Sequence, residues 1–142
     1  MEKTDKHQVG FSITEFNQAP EDLTQILNLQ PTKIALKGQN YFVGPPNKKI
    51  EKSWPWNFWQ YQEVIENNSS WIGDQIDEFV LKTILPRKSV LNNLKSTCKF
   101  EFAIVQYIYH GCNPGYHFDN KILKILAEIN FEIDIDTYVL TS

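Results

Sequence analysis

Cysteine is scarce: Cys98 and Cys112 are the only two in 142 residues. That is too few for the disulfide framework on which small secreted domains rely, so both read as reduced thiols. Basic residues are not in excess either. Fourteen Lys and Arg against seventeen Asp and Glu leave a net charge of −3, which excludes the positive footprint that nucleic acid or an anionic membrane demands. No apolar run approaches the roughly 20 residues of a membrane-spanning helix. Residues 1–7 are polar and carry no apolar signal segment. Together these absences predict a cytoplasmic protein. There is also no Gly-rich phosphate loop, Walker sequence or nucleophile elbow. With no acid, base and nucleophile set, the expectation is a protein that is not an enzyme and needs no cofactor or metal.

What is present is a good supply of core-forming residues. Hydrophobic residues make up 42% of the chain and aromatics 13%, enough for one folded domain at this length. Residues 1–8 read as a flexible tail and 9–142 as a single α+β domain.

The end of the chain carries the clearest pattern. Asp119 suits a helix N-cap, because its carboxylate can accept the free N–H groups of the first turn. Ile122, Ile125, Leu126 and Ile129 then recur at helical spacing, and Asn130 ends the helix. From Phe131 the period changes to two. Phe131, Ile133, Ile135, Thr137 and Val139 alternate with Glu132, Asp134, Asp136, Tyr138 and Leu140, the pattern of a strand with one apolar and one carboxylate face. Successive carboxylates there stand roughly 6.5–7 Å apart, twice the rise per residue.

A similar unit opens the chain. Val9, Phe11 and Ile13 alternate as a strand. Pro20 with Glu21 and Asp22 starts a helix whose stripe is Leu23, Ile26 and Leu27, and Pro31 stops it. Lys33–Gly38 follows as a short strand or extended piece. The tract Gly44-Pro45-Pro46-Asn47 forces a turn, and the charged run 48–52 reads as a solvated loop. Between the two units, Ser70 can cap a helix bearing Ile72, Ile76, Phe79 and Val80. Pro86 interrupts that helix, and Val90, Leu91 and Leu94 continue its stripe. Phe100, Phe102, Ile104 and Ile108 form one face of an interior strand, with Ala103, Val105 and Tyr107 on the other. The repeated strand–helix–strand order predicts an antiparallel or mixed sheet of about five strands, helices on one face, and split β-α-β, ferredoxin-like character.

Three clusters offer chemistry. Glu132, Asp134 and Asp136 share a strand face, which suits a basic protein surface; a solvated face that discourages edge pairing gives the same pattern. The segment Ser53-Trp-Pro-Trp-Asn-Phe-Trp-Gln-Tyr61 is unusually aromatic. Trp54, Trp56 and Phe58 fall on one side of an edge strand, the edge being required by Pro55, and Trp59 and Tyr61 fall on the other. Trp54, Trp56, Trp59 and Tyr61 are candidate interface anchors, with core filling as the competing role, favoured for Trp54, Phe58 and at least one other; Trp56, Trp59 and Tyr61 are the anchors expected to meet a partner. Single-stranded nucleic acid is not expected there, because basic residues do not interleave the aromatics. His110, Cys112 and His117 are metal-ligand types at a spacing that matches no zinc pattern. A small-ligand, metal or minor enzymatic role for that loop is the alternative to protein binding.

Four segments, in order, resemble the bacterial domain-of-unknown-function family numbered 4279. They are the opening strand with Ala19-Pro-Glu-Asp-Leu-Thr-Gln-Ile-Leu-Asn-Leu-Gln-Pro-Thr32; the Lys37-Gly38 step; Ser53-Trp-Pro-Trp-Asn-Phe-Trp59; and Leu126-Ala-Glu-Ile-Asn-Phe-Glu-Ile-Asp-Ile-Asp-Thr-Tyr138. The resemblance spans about residues 9 to 140 and implies a single α+β domain without assigning a reaction. Small proteins of this type look like toxin-immunity proteins, including those of contact-dependent growth inhibition. The function it implies is non-enzymatic neutralisation of a cognate toxin with a basic surface, such as a nuclease. Glu132, Asp134 and Asp136, with Asp74, Asp77 and Glu78, would supply charge, and the protein would be a monomer or weak homodimer. The loop 40–52 and the aromatics Trp56 and Trp59 depart from the family pattern, as partner-specific features would.

Overall fold

A computed structural model of the chain describes residues 3–66, 71–111 and 115–140. Seven strands occur among them: β1 (Lys6–Thr14), β2 (Lys33–Ala35), β3 (Asn40–Val43), β4 (Ile50–Ser53), β5 (Phe58–Glu66), β6 (Lys99–Ile108) and β7 (Phe131–Val139). The α-helices are α1 (Pro20–Leu27), α2 (Ile72–Phe79), α3 (Lys88–Leu94) and α4 (Asn120–Glu128). The fold is α+β, with a five-stranded mixed sheet in the order β2-β5-β1-β6-β7 and a separate β3-β4 hairpin.

β1 lies at the centre because its sequence can be buried on both sides. Val9, Phe11 and Ile13 point to the helices and are fully buried, while Gly10 and Ser12 on the reverse side keep that face thin. β1 pairs antiparallel with β5 and β6. Because β1 and β2 both run antiparallel to the intervening β5, β1-α1-β2 is a split β-α-β unit. The second unit, β6-α4-β7, is unsplit, with β6 and β7 adjacent and parallel.

The helices cover one face. On α4, Ile122, Ile125, Leu126 and Ile129 are buried as their spacing predicts, and Asp119 caps the helix by accepting the Ile122 N–H at 2.9 Å. On α1, Leu23 and Leu27 are buried but Ile26 is 48% exposed, so the stripe is one residue narrower than expected. Phe79 at the end of α2 sets its ring against Phe11, Tyr61 and Phe102, which joins three strands under one helix. Pro86 does not end the helical run. Having no N–H to give, it is accommodated by a π segment (Val80–Ile84) and a 3-10 turn (Leu85–Arg87) leading into α3. Arg87 secures this region by donating to the carbonyls of Leu27, Asn28 and Thr83. A cation thereby sits at the negative end of α1.

Several expectations need correction. The tail is shorter than residues 1–8, because β1 begins at Lys6; the Asp5 carboxylate also accepts the N–H groups of Tyr109 and His110 at 2.6 and 3.2 Å. The aromatic strand is not an edge along its first residues, since β2 pairs with Phe58–Gln60. Pro55 poses no conflict there because the strand starts after it. The stretch 48–52 contributes to the exposed hairpin strand β4 rather than to a loop. β7 is one edge of the sheet, and its apolar face is only partly covered: Phe131 is buried, but Ile133 and Ile135 are each 38% exposed and Val139 is 69% exposed. The expected cap at Ser70 lies outside the described residues.

Candidate partner-binding face

The helices leave the second face of the sheet open. Strand register places Ser12 and Thr14 of β1, Phe58 and Gln60 of β5, Lys99 and Glu101 of β6, and Glu132, Asp134 and Asp136 of β7 on this face. At the β5 end an aromatic wall rises over it. Trp54 packs between Tyr41 and Phe58, at ring separations of 5.2 and 4.9 Å, and the Lys33 ammonium lies 5.1 Å from the Trp54 ring centroid.

This wall is held by the backbone that precedes β5. The Gly38 N–H donates to the Trp54 carbonyl at 2.8 Å, and the Trp54 N–H donates to the Gln39 carbonyl at 2.9 Å. Gly38 adopts φ +86°, a conformation that strains residues with a Cβ. The Asn57 amide donates to the Phe16 carbonyl and accepts the Lys37 N–H, both at 2.9 Å. The Lys37-Gly38 step and Asn57 thus fix the angle at which the segment bearing Trp54 and Trp56 leaves the sheet.

Between the wall and the carboxylates lies a groove of about 250 Å³ lined by Ser12, Thr14, Trp54, Trp56, Phe58, Lys99 and Glu101. Its rim residue Trp56 is 42% exposed. From Lys99 the surface turns acidic: Glu101 stands beside Glu132 in the parallel register, followed by Asp134 and Asp136. Lys99 reaches Glu132 at 3.4 Å but leaves the row with an excess of negative charge. Partial burial, then Asp134, Glu132 and Asp136, push the Glu101 carboxyl above its ordinary range, while Lys99 opposes them. At the far end Tyr107 stacks on Tyr138 at 5.3 Å, with the Lys6 ammonium 4.9 Å from the Tyr107 ring.

Of the predicted anchors, only Trp56 joins this face. Trp59 is fully buried among the helices and donates its indole N–H to Thr24 at 3.1 Å, so it is a core residue and unavailable to a partner. Tyr61 also points to the helical side, where it stacks on Phe79 and donates its hydroxyl to Glu63 at 2.8 Å. Trp54, expected chiefly to fill the core, is half-buried and builds the wall; the Pro55 turn carried the signal that 54–57 leaves the strand. The auxiliary acids Asp74, Asp77 and Glu78 belong to α2 in the opposite layer, where burial and then Asp119 and Asp74 raise the Asp77 pKa.

The two described histidines of the loop make separate contacts. The His110 ring contacts the Lys3 carbonyl at 2.7 Å, while His117 lies against Trp71. Cys112 lies outside the described residues. Among the described residues no group of three or more His, Cys, Asp or Glu is placed to hold a metal ion.

The family model for a domain of unknown function, DUF4279, matches residues 5–140. The chain belongs to this family. No curated protein and no solved structure matches it. For this DUF4279 chain, the matched span takes in every strand of the main sheet, the aromatic wall and the carboxylate row. No helix among the described residues is long and apolar enough to cross a membrane.

Proposed function

We propose that this DUF4279 protein is a non-enzymatic binding module: an immunity protein that neutralises a cognate bacterial toxin by occluding a basic surface, such as the substrate face of a nuclease. The supporting observation is the meeting of Trp56, the groove and the carboxylate row on one helix-free face. An exposed Trp next to a groove is the kind of anchor that dominates interface energies. Partial burial first, and then the neighbouring Asp134, Glu132 and Asp136, raise the Glu101 pKa, and a cationic partner would relieve the like-charge part of that crowding. Complementary charge of this kind speeds encounter and selects partners.

The test is co-expression with the toxin domain encoded beside the gene. Wild-type protein is expected to abolish killing. Trp56→Ala is expected to weaken the purified complex by about thirtyfold, the effect of a lost anchor worth about 2 kcal/mol. Undiminished killing in the presence of folded wild-type protein would overturn the reading.

A further inference from the structure

β7 ends the sheet, and among the described residues no strand pairs its outer edge. The direction of its backbone groups follows from one bond: the Leu140 N–H donates inward to the Ile108 carbonyl at 2.8 Å. Backbone groups alternate along a strand. The even residues from Glu132 to Tyr138 therefore face β6, and Ile133, Ile135, Thr137 and Val139 turn their N–H and C=O groups outward. Of the usual protections of an edge, β7 carries one, the charge of its carboxylate row, which repels a like-charged strand but not a basic one. β7 has no Pro, Gly or Lys, and its register with β6 runs unbroken from Phe131 to Val139, without a bulge. The two sides of this edge differ sharply. Ile133, Ile135 and Val139 expose apolar surface on the helical side. Glu132, Asp134 and Asp136 line the open side.

We propose that the outer edge of β7 accepts an extended segment of a protein partner as a sixth strand, and that this segment alternates basic and apolar side chains. Backbone hydrogen bonds would hold it, and the two side-chain rows would select it. A second copy of this chain is a poor occupant. Antiparallel β7–β7 pairing about a two-fold axis normal to the sheet would set the acidic rows against each other, and like charges opposed across strands are destabilising. The proposal rests on the protein-binding reading above and shares its carboxylate row, but it adds the backbone edge of β7 in place of Trp56 and the groove.

The experiment is amide hydrogen exchange on the full chain, with and without a capped synthetic peptide that alternates lysine and valine. At saturating peptide the amides of Ile133, Ile135, Thr137 and Val139 are expected to exchange at least about tenfold more slowly, with little change at the even positions. Asp134→Lys combined with Asp136→Lys is expected to weaken peptide binding about tenfold or more. Ile135→Pro removes an outward donor without touching the β6 ladder and is expected to abolish protection. Should that variant not fold, a peptide N-methylated at alternate residues provides the same test and is expected not to bind. Undiminished binding of the methylated peptide, or no slowing of the four outward amides, would overturn the proposal. Trp56→Ala is expected to leave peptide protection intact. Toxin neutralised without edge protection would defeat this inference alone, whereas edge protection by the peptide without toxin neutralisation would defeat only the functional reading.

Discussion

At the scale of single residues, two unpartnered polar groups stand out, one in the core and one at its margin. Gln106 is fully buried on the helical face of β6, and neither end of its amide has a hydrogen-bond partner. A buried unsatisfied amide costs about 1–3 kcal/mol. Gln106→Leu is therefore expected to stabilise the protein by about 1 kcal/mol, read as a higher urea midpoint; a lower midpoint would contradict this. Its pairing partner on β1 is the half-buried His7, whose ring Nδ1 is also buried without a partner. Burial holds the His7 pKa below its ordinary 6.5, with Asp5 acting in the opposite sense. The unfolded chain then binds the proton more readily, so stability is lost as pH falls through 6.5 towards the lower folded value. Denaturation of His7→Phe is expected to show a flatter pH dependence than wild type over that window. Equal slopes would contradict the assignment.

At the scale of elements, the pairing of β6 with β7 concentrates four carboxylates on two adjacent strands. The raised Glu101 pKa means that this group favours folding only while protonated. Its contribution is present below the ordinary value of 4.5 and is lost as pH rises through the higher folded value. Glu101→Gln is accordingly expected to raise the urea midpoint at pH 7 and to lose that advantage below pH 4.5. An advantage that persisted in acid would point to packing rather than charge. The other elements show what local pattern does and does not convey. The stripes of α2 and α4 and the alternation in β1 and β6 match the buried residues, because each pattern reports which side of its own element is apolar. The β3–β4 hairpin was not legible. Its strands are four residues each and largely exposed, so they carry little of the alternation that burial imposes.

At the scale of the whole molecule, a modest net charge conceals an uneven surface. Lys88 and Lys95 are both bonded to Glu128, and Lys82 pairs with Glu78. On the open face, Lys99 pairs with Glu132 and opposes the crowding of Glu101 by Asp134, Glu132 and Asp136, which leaves the row net negative. Association with a basic partner through this face is expected to slow at least about tenfold between low salt and about 0.5 M salt, because screening shortens the reach of the field. Stopped-flow rates would check this, and a salt-independent rate would move the interface elsewhere.

The strand–helix–strand units at both ends of the chain, the Asp119 cap, the stripes of α2 and α4, the alternating carboxylates of β7 and the lack of a recognised catalytic motif were determined by the sequence alone. They depend on neighbours a few residues apart. Only the tertiary structure decided that Trp59 belongs to the core while Trp56 lines a groove, that β2 covers the first residues of β5 while β7 lies at the opposite edge, and that aromatics and carboxylates distant in the chain share one face. Periodicity labels the two sides of an element. Long-range strand pairing and packing then decide which side is covered.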